Sequence, residues 1–166
     1  GDFKSELMQV IAKQEQLRKY DSYKPSGVDW LGEIPENWEI KRLKCFGKIY
    51  PGLSGKKGED FSKTPEGLVN PKPYIPFTNI CNNRIILEGL MHYVHLRKHE
   101  YQNIVGRGDL LFLMSSETLE DIGICSLFLD DDSSATYLNS FCKGFRIESK
   151  ELLPHFLNYL FSADIY

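Results

Sequence analysis

Residues 108–123 read GDLLFLMSSETLEDIG, and the fold class turns on how this stretch is taken. Gly108 and Asp109 make a turn signal, and Leu110, Leu111, Phe112, Leu113 and Met114 follow as one apolar block. A block this short, bounded by turn residues, reads as a strand buried on both faces rather than as a helix. It breaks at once into Ser115, Ser116, Glu117 and Thr118, so the strand's end carries hydroxyls and a carboxylate. Short side chains on a rigid mount are what recognition requires, whereas a hydrolytic nucleophile needs a base beside it.

The same punctuation recurs outward from this stretch. Strands are expected over 38–49, 73–80, 84–88, 91–96, 122–129 and 136–147, each bounded by turn residues. Helical periodicity occupies the two ends. Over 5–20 the residues Leu7, Met8, Val10, Ile11, Leu17 and Tyr20 share one side, with Ser5 as a possible cap. Over 149–166 Pro154 fits an early turn, and Leu153, Phe156, Leu157, Leu160 and Phe161 form an apolar stripe. Between them, 21–39 is rich in Pro and Gly among Trp30, Ile34 and Trp38, and predicts an ordered connector that buries its large rings. A long polar segment, 50–72, is the kind of loop that is usually functional. The class expected is α+β: a mixed, mainly antiparallel, barrel-like sheet with an N-terminal helix and a C-terminal helix. The organisation is an amphipathic helix over 1–22 and one domain over 23–166.

The chain has 166 residues, 42% of them hydrophobic, enough for one core of ordinary size. No apolar run reaches the roughly 18 residues of a membrane span and no secretory signal opens the sequence, so a cytoplasmic location is expected. Cys45, Cys81, Cys125 and Cys142 form no CxxC pair and are expected to be buried reduced thiols. Net charge is −3, but residues 38–72 hold eight basic against four acidic side chains, while 111–150 hold seven acidic against three basic. A polyanion would have to meet one face only.

Chemistry-bearing patterns are weak. His92, His95 and His99 would share a face on a helix and could make a zinc site for a metal-dependent hydrolase, but the segment alternates as a strand and lacks HExxH. Ser115, Ser116 and Ser126 lack the GxSxG elbow, and PGLSGKKG has the wrong spacing for a phosphate loop. Three polar loops remain as readers of base edges and phosphates: Ser54, Lys56 and Lys57; Thr78, Asn79, Asn82, Asn83 and Arg84; and Ser115, Ser116, Glu117 and Thr118. A protein-interaction domain using the N-terminal helix is the other alternative to an enzyme.

Assembled in order, these segments resemble one target recognition domain of the specificity subunit of type I restriction-modification systems. SGVDWLGEIPENWEIKRLK (26–44) is similar to that family's approach to the domain. KPYIPFTNI (72–80), VGRGDLLFLMSSETLEDIG (105–123) and YLNSFCKGFRI with LLPHFLNYLF (137–147 and 152–161) are similar to its successive strands and helix. The resemblance covers residues 20–162. It implies a non-catalytic subunit that directs adenine methylation and restriction to one half of a bipartite target in double-stranded DNA. It implies methyltransferase (M) and restriction/motor (R) subunits as partners. It also implies that S-adenosylmethionine, ATP and magnesium belong to those partners, with no cofactor and no metal in this chain. A spacer helix and second recognition domain are expected beyond residue 166.

Overall fold

The computed structural model describes residues 20–29, 31–130 and 135–162, in two units, Gly1–Arg42 and Leu43–Tyr166. The helix expected over 5–20 lies outside the described residues, apart from Tyr20. In the first unit β1 (Tyr23–Pro25) and β2 (Glu33–Pro35) form an antiparallel ladder. Ile34 and Pro35 are its buried residues, whereas Trp38 is half-exposed and stands edge-on to Tyr20, ring centroids 5.8 Å apart. The connector therefore does not bury Trp38, because a two-stranded ladder has too little surface to cover an indole.

In the second unit the strands are β3 (Gly47–Pro51), β4 (Phe61–Ser62), β5 (Pro71–Ile75), β6 (His92–His95), β7 (Leu110–Leu113), β8 (Cys125–Leu127), β9 (Tyr137–Leu138) and β10 (Cys142–Ile147). Among the described residues two α-helices accompany them, α1 (Phe77–Asn82) and α2 (Pro154–Phe161). The strands make two open sheets. One has the order β3-β10-β7-β8 and is antiparallel throughout; the other has the order β4-β6-β5-β9, with β5 and β9 parallel. The class is α+β and mainly antiparallel, but the sheet is not a closed barrel.

The apolar block of 110–114 lies at the centre of the first sheet, as β7 between β10 and β8. Alternation sends its side chains to both faces. Leu111 and Leu113 pack with Ile75 and Leu138 of the second sheet and Ile80 of α1. Leu110 packs with Phe145, Leu127 and Leu157, beneath α2. Leu110, Leu111 and Leu113 are each at most 1% exposed, so burial contributes about 2 kcal/mol per side chain. Tyr74, Val94 and Leu96 build a separate cluster on the other face of the second sheet.

Several expected strands are shorter than their apolar runs because a strand persists only where it finds a partner. Over 38–49 only Gly47 onward is paired, its register with β10 running from Gly47↔Ile147 to Pro51↔Lys143. The run 73–80 is cut at Pro76, which has no N–H for the ladder and opens α1 instead. Residues 84–88 make one bridge, Ile85↔Leu127, before a 3₁₀ turn at Glu88–Leu90. The run 136–147 divides between the sheets: β9 beside β5, then β10 in the middle of the other, after a turn through Asn139, Ser140 and Phe141. Gly144 is required in β10, since a Cβ there would lie 2.1 Å from the Tyr50 ring.

The stripe of α2 is narrower than its sequence suggests. Leu157 is buried, but Leu153 and Phe156 are 69% and 58% exposed. The thiols are all free; Cys125 and Cys142 are buried, Cys81 is partly so, and Cys45 is exposed on the 3₁₀ turn Leu43–Cys45, contrary to expectation. No helix among the described residues is long and apolar enough to cross a membrane.

Candidate nucleic-acid interface

Two of the three polar loops lie at opposite ends of α1. After β7 the chain leaves at Met114 and returns at Gly123, whose N–H donates to Leu113 O at 2.8 Å, while Leu113 N donates to Ile124 O at 3.0 Å. The excursion is thus closed at its base. Within it Ser116 Oγ donates to Asp121 Oδ2 at 3.0 Å, and Thr118 Oγ1 donates to the same oxygen. These two hydroxyl bonds, Thr118 first, hold the Asp121 carboxyl below its ordinary pKa. Asp121 is therefore the organiser of the loop, through the spacing Ser116-x-Thr118-x-x-Asp121. That spacing was present in the sequence, and the carboxylate was missed as a site residue.

α1 stands beside this loop. Ser115, Ser116, Glu117, Thr118 and Asp121 line an open hollow of about 520 Å³ with Phe77 of α1 and Phe141 of the turn before β10. Around the other end of the helix Asn82, Asn83 and Arg84 share a hollow of about 450 Å³ with Glu120 and Ile122. Thr78, Asn82, Arg84, Ser115, Glu117 and Thr118 are exposed, and Asn83 and Ser116 are half-buried.

Asn79 is different. It is 1% exposed, and its amide serves the segment that follows: Nδ2 donates to Leu87 O at 2.9 Å, and Oδ1 accepts from Leu87 N at 3.3 Å and from Asn83 Nδ2 at 3.1 Å. Buried polar groups are kept because they are bonded. These bonds remove Asn79 from the candidate readers and make it the clamp that fixes Asn83 and Arg84. Ser126 is similarly consumed. It is fully buried and its hydroxyl donates to Ile80 O at 2.9 Å.

The third loop has its own neighbourhood. Ser54 N donates to Gln102 Oε1 at 3.1 Å, and Gln102 Nε2 donates back to Ser54 O at 2.9 Å. Lys56 lies in a buried ion pair with Glu100 at 2.5 Å, its side chain 3% exposed, and donates also to His95 O at 2.8 Å. A lysine so enclosed cannot reach a phosphate; Lys57 beside it is exposed and can. Ser54 and Lys56 are placed by Gln102, Glu100 and His95, and Lys57 N donates to Asp60 Oδ2 at 2.9 Å, whereas the other two loops are placed by α1 and β7.

His92 and His95 lie three residues apart on β6 and so project to opposite faces, while His99 follows in a turn with φ +67°. The three do not converge as they would on a helix. His95 Nδ1 is instead hydrogen-bonded to Val69 O, and burial with the nearby Lys63 charge lowers the His92 pKa. Burial pushes the Cys125 and Cys142 thiols up to about 12, which disfavours the thiolate a nucleophile would need.

The strand that mounts the 115–118 loop is anchored at its other end. Asp109, 2% exposed, accepts from Gly106 N at 2.8 Å, from Tyr50 Oη at 2.5 Å, and from Arg146 Nε and Nη2 at 3.0 and 2.7 Å. Arg146 lies over the Tyr50 ring, 5.2 Å from its centroid. Burial, then the Asp109 charge, raises the Tyr50 pKa, so the phenol stays a donor. No family model matches this chain, and no curated protein matches it.

Proposed function

We propose that the chain is a DNA target recognition domain of a type I restriction-modification specificity subunit, reading one half of a bipartite site for methyltransferase and restriction partners. The observation that carries this reading is that the excursion after β7 flanks α1 at both ends, 115–118 with Asp121 beside Phe77, and Glu120 and Ile122 beside Asn82, Asn83 and Arg84. The 115–118 loop and the start of α1 lie within stretches that resemble the family, 105–123 and 72–80. A base-reading surface needs donors and acceptors held at fixed positions, each good bidentate contact contributing about 1 to 3 kcal/mol of discrimination. Asp121 holds the loop, Asn79 holds the segment after the helix, and both spring from buried structure. On this reading the chain performs no bond chemistry. S-adenosylmethionine, ATP and magnesium act in the partner subunits, in the cytoplasm.

The experiment is methylome mapping of cells carrying the intact gene, a deletion, and a variant with Ser115, Ser116, Glu117 and Thr118 all replaced by Ala. Loss of one bipartite motif on deletion, and loss or alteration of one of its halves in the variant, is expected. A methylome indifferent to the deletion removes the proposal; one that changes on deletion but not in the variant removes this loop from the reading surface.

A further inference from the structure

The hollow beside the reading loop is walled by two aromatic rings that the domain itself does not cover. Phe77 and Phe141 are 43% and 54% exposed. Their centroids lie 6.5 Å apart with ring planes at 82°, an edge-to-face pair. Neither ring hangs on a loose segment. Phe141 N donates to Asn139 Oδ1 at 2.9 Å and Phe141 O accepts from Met114 N at 2.9 Å. Phe77 is the first residue of α1, fixed by Pro76 before it and by buried Asn79 and Ile80 after it. Around the pair stand Glu117, Ser115 and the Asp121-bonded hydroxyls of Ser116 and Thr118.

Resting on the DNA reading above, we propose that the Phe77–Phe141 pair is an apolar reader of a thymine 5-methyl group in the major groove. The chemistry of the hollow selects this ligand. Glu117 and Asp121 repel phosphate, so a base edge rather than the backbone faces the hollow. In the major groove an A·T pair presents one apolar group, the methyl, with the thymine O4 acceptor next to it and the adenine N6 donor beyond. The hollow presents the complement: rings for the methyl, the Ser115 hydroxyl able to donate to O4, and the Glu117 carboxylate able to accept from N6–H. A G·C pair has no methyl to cover the rings and would leave them against water or a polar edge.

The test uses the full chain in its methyltransferase assembly. Duplexes are selected from a randomised pool to define the bound half-site, and uracil then replaces thymine at each of its positions in turn. At one position uracil is expected to weaken binding by about fourfold, the effect of withdrawing one buried methyl group. Phe141→Ala and Phe77→Ala are expected to abolish that thymine preference, with circular dichroism and assembly with the methyltransferase unchanged to report that the variants are folded. Equal binding of thymine and uracil at every position, a half-site without thymine, or a preference that survives both substitutions would overturn the methyl reader and leave DNA recognition intact. Failure to select any sequence from the pool would overturn both.

Discussion

Glu100 accepts hydrogen bonds from Lys56 Nζ at 2.5 Å, Gln102 Nε2 at 2.7 Å and Arg97 N at 2.9 Å. Burial alone would raise its pKa, but the hydrogen bonds, Lys56 first, and the Lys56 charge prevail and bring it down to about 2. A carboxylate whose folded pKa is depressed contributes stability that is present above the ordinary carboxylate range and is lost as pH falls toward the folded value. The ion pair should therefore stabilise the domain at neutral pH and fade between about pH 4.5 and pH 2. Glu100→Gln leaves the buried Lys56 ammonium without its counter-charge and is expected to cost about 3 kcal/mol at neutral pH. In urea unfolding the gap between native and variant chains should narrow on acidification through that window; a gap independent of pH would refute it. In the sequence Lys56 and Lys57 are indistinguishable members of SGKKG. What separates them is a partner 44 residues away, which no local pattern reveals.

At the level of elements, the loop after β7 and the helix α1 illustrate opposite degrees of legibility. The loop's position was readable because a buried strand must end where its apolar residues end, and Met114 is already 47% exposed. Its internal order was not, because the Asp121 bonds depend on how the excursion closes at Gly123. Asp121→Ala removes the acceptor for Ser116 and Thr118 on an exposed loop whose base hydrogen bonds remain. The thermal unfolding midpoint is expected to stay within about 1 °C of native, since surface changes of this kind are small. Preference for the cognate half-site over single-base variants should nevertheless fall about tenfold, as read by competition binding. A large drop in the midpoint with selectivity unchanged would make the aspartate a structural residue only. For α1 the strand expected over 73–80 ends at Pro76. The missing N–H ends the ladder, and burial of Asn79 and Ile80 on one side favours a helical turn.

Across the whole molecule, the charge of −3 and the acidic groups in both hollows mean that the DNA binding proposed for this chain would not rest on a broad positive field. Arg84 is the cation among the residues lining the hollow at the C-terminal end of α1. If it holds a phosphate, Arg84→Ala should lower the magnitude of the slope of log affinity against log salt by about 1, equally for cognate and altered sequences. A slope unchanged by the substitution, with specificity altered at one base pair, would instead assign Arg84 to base reading.

From the sequence by itself came the α+β class, a buried strand within 109–114 and a C-terminal helix with Pro154 in its first turn. All of these depend on local pattern: turn residues, apolar runs and proline geometry act within a few residues of themselves. The division into two open sheets, the switch of chain between them at Asn139–Phe141, the burial of Asn79 and Lys56, and the exposure of Phe77 and Phe141 belong to tertiary structure. They are set by pairings such as Leu138 with Ile75 and Cys142 with Leu113, made across long stretches of chain. Burial is a property of what arrives on the other side of a residue, and that is decided only when distant segments pack.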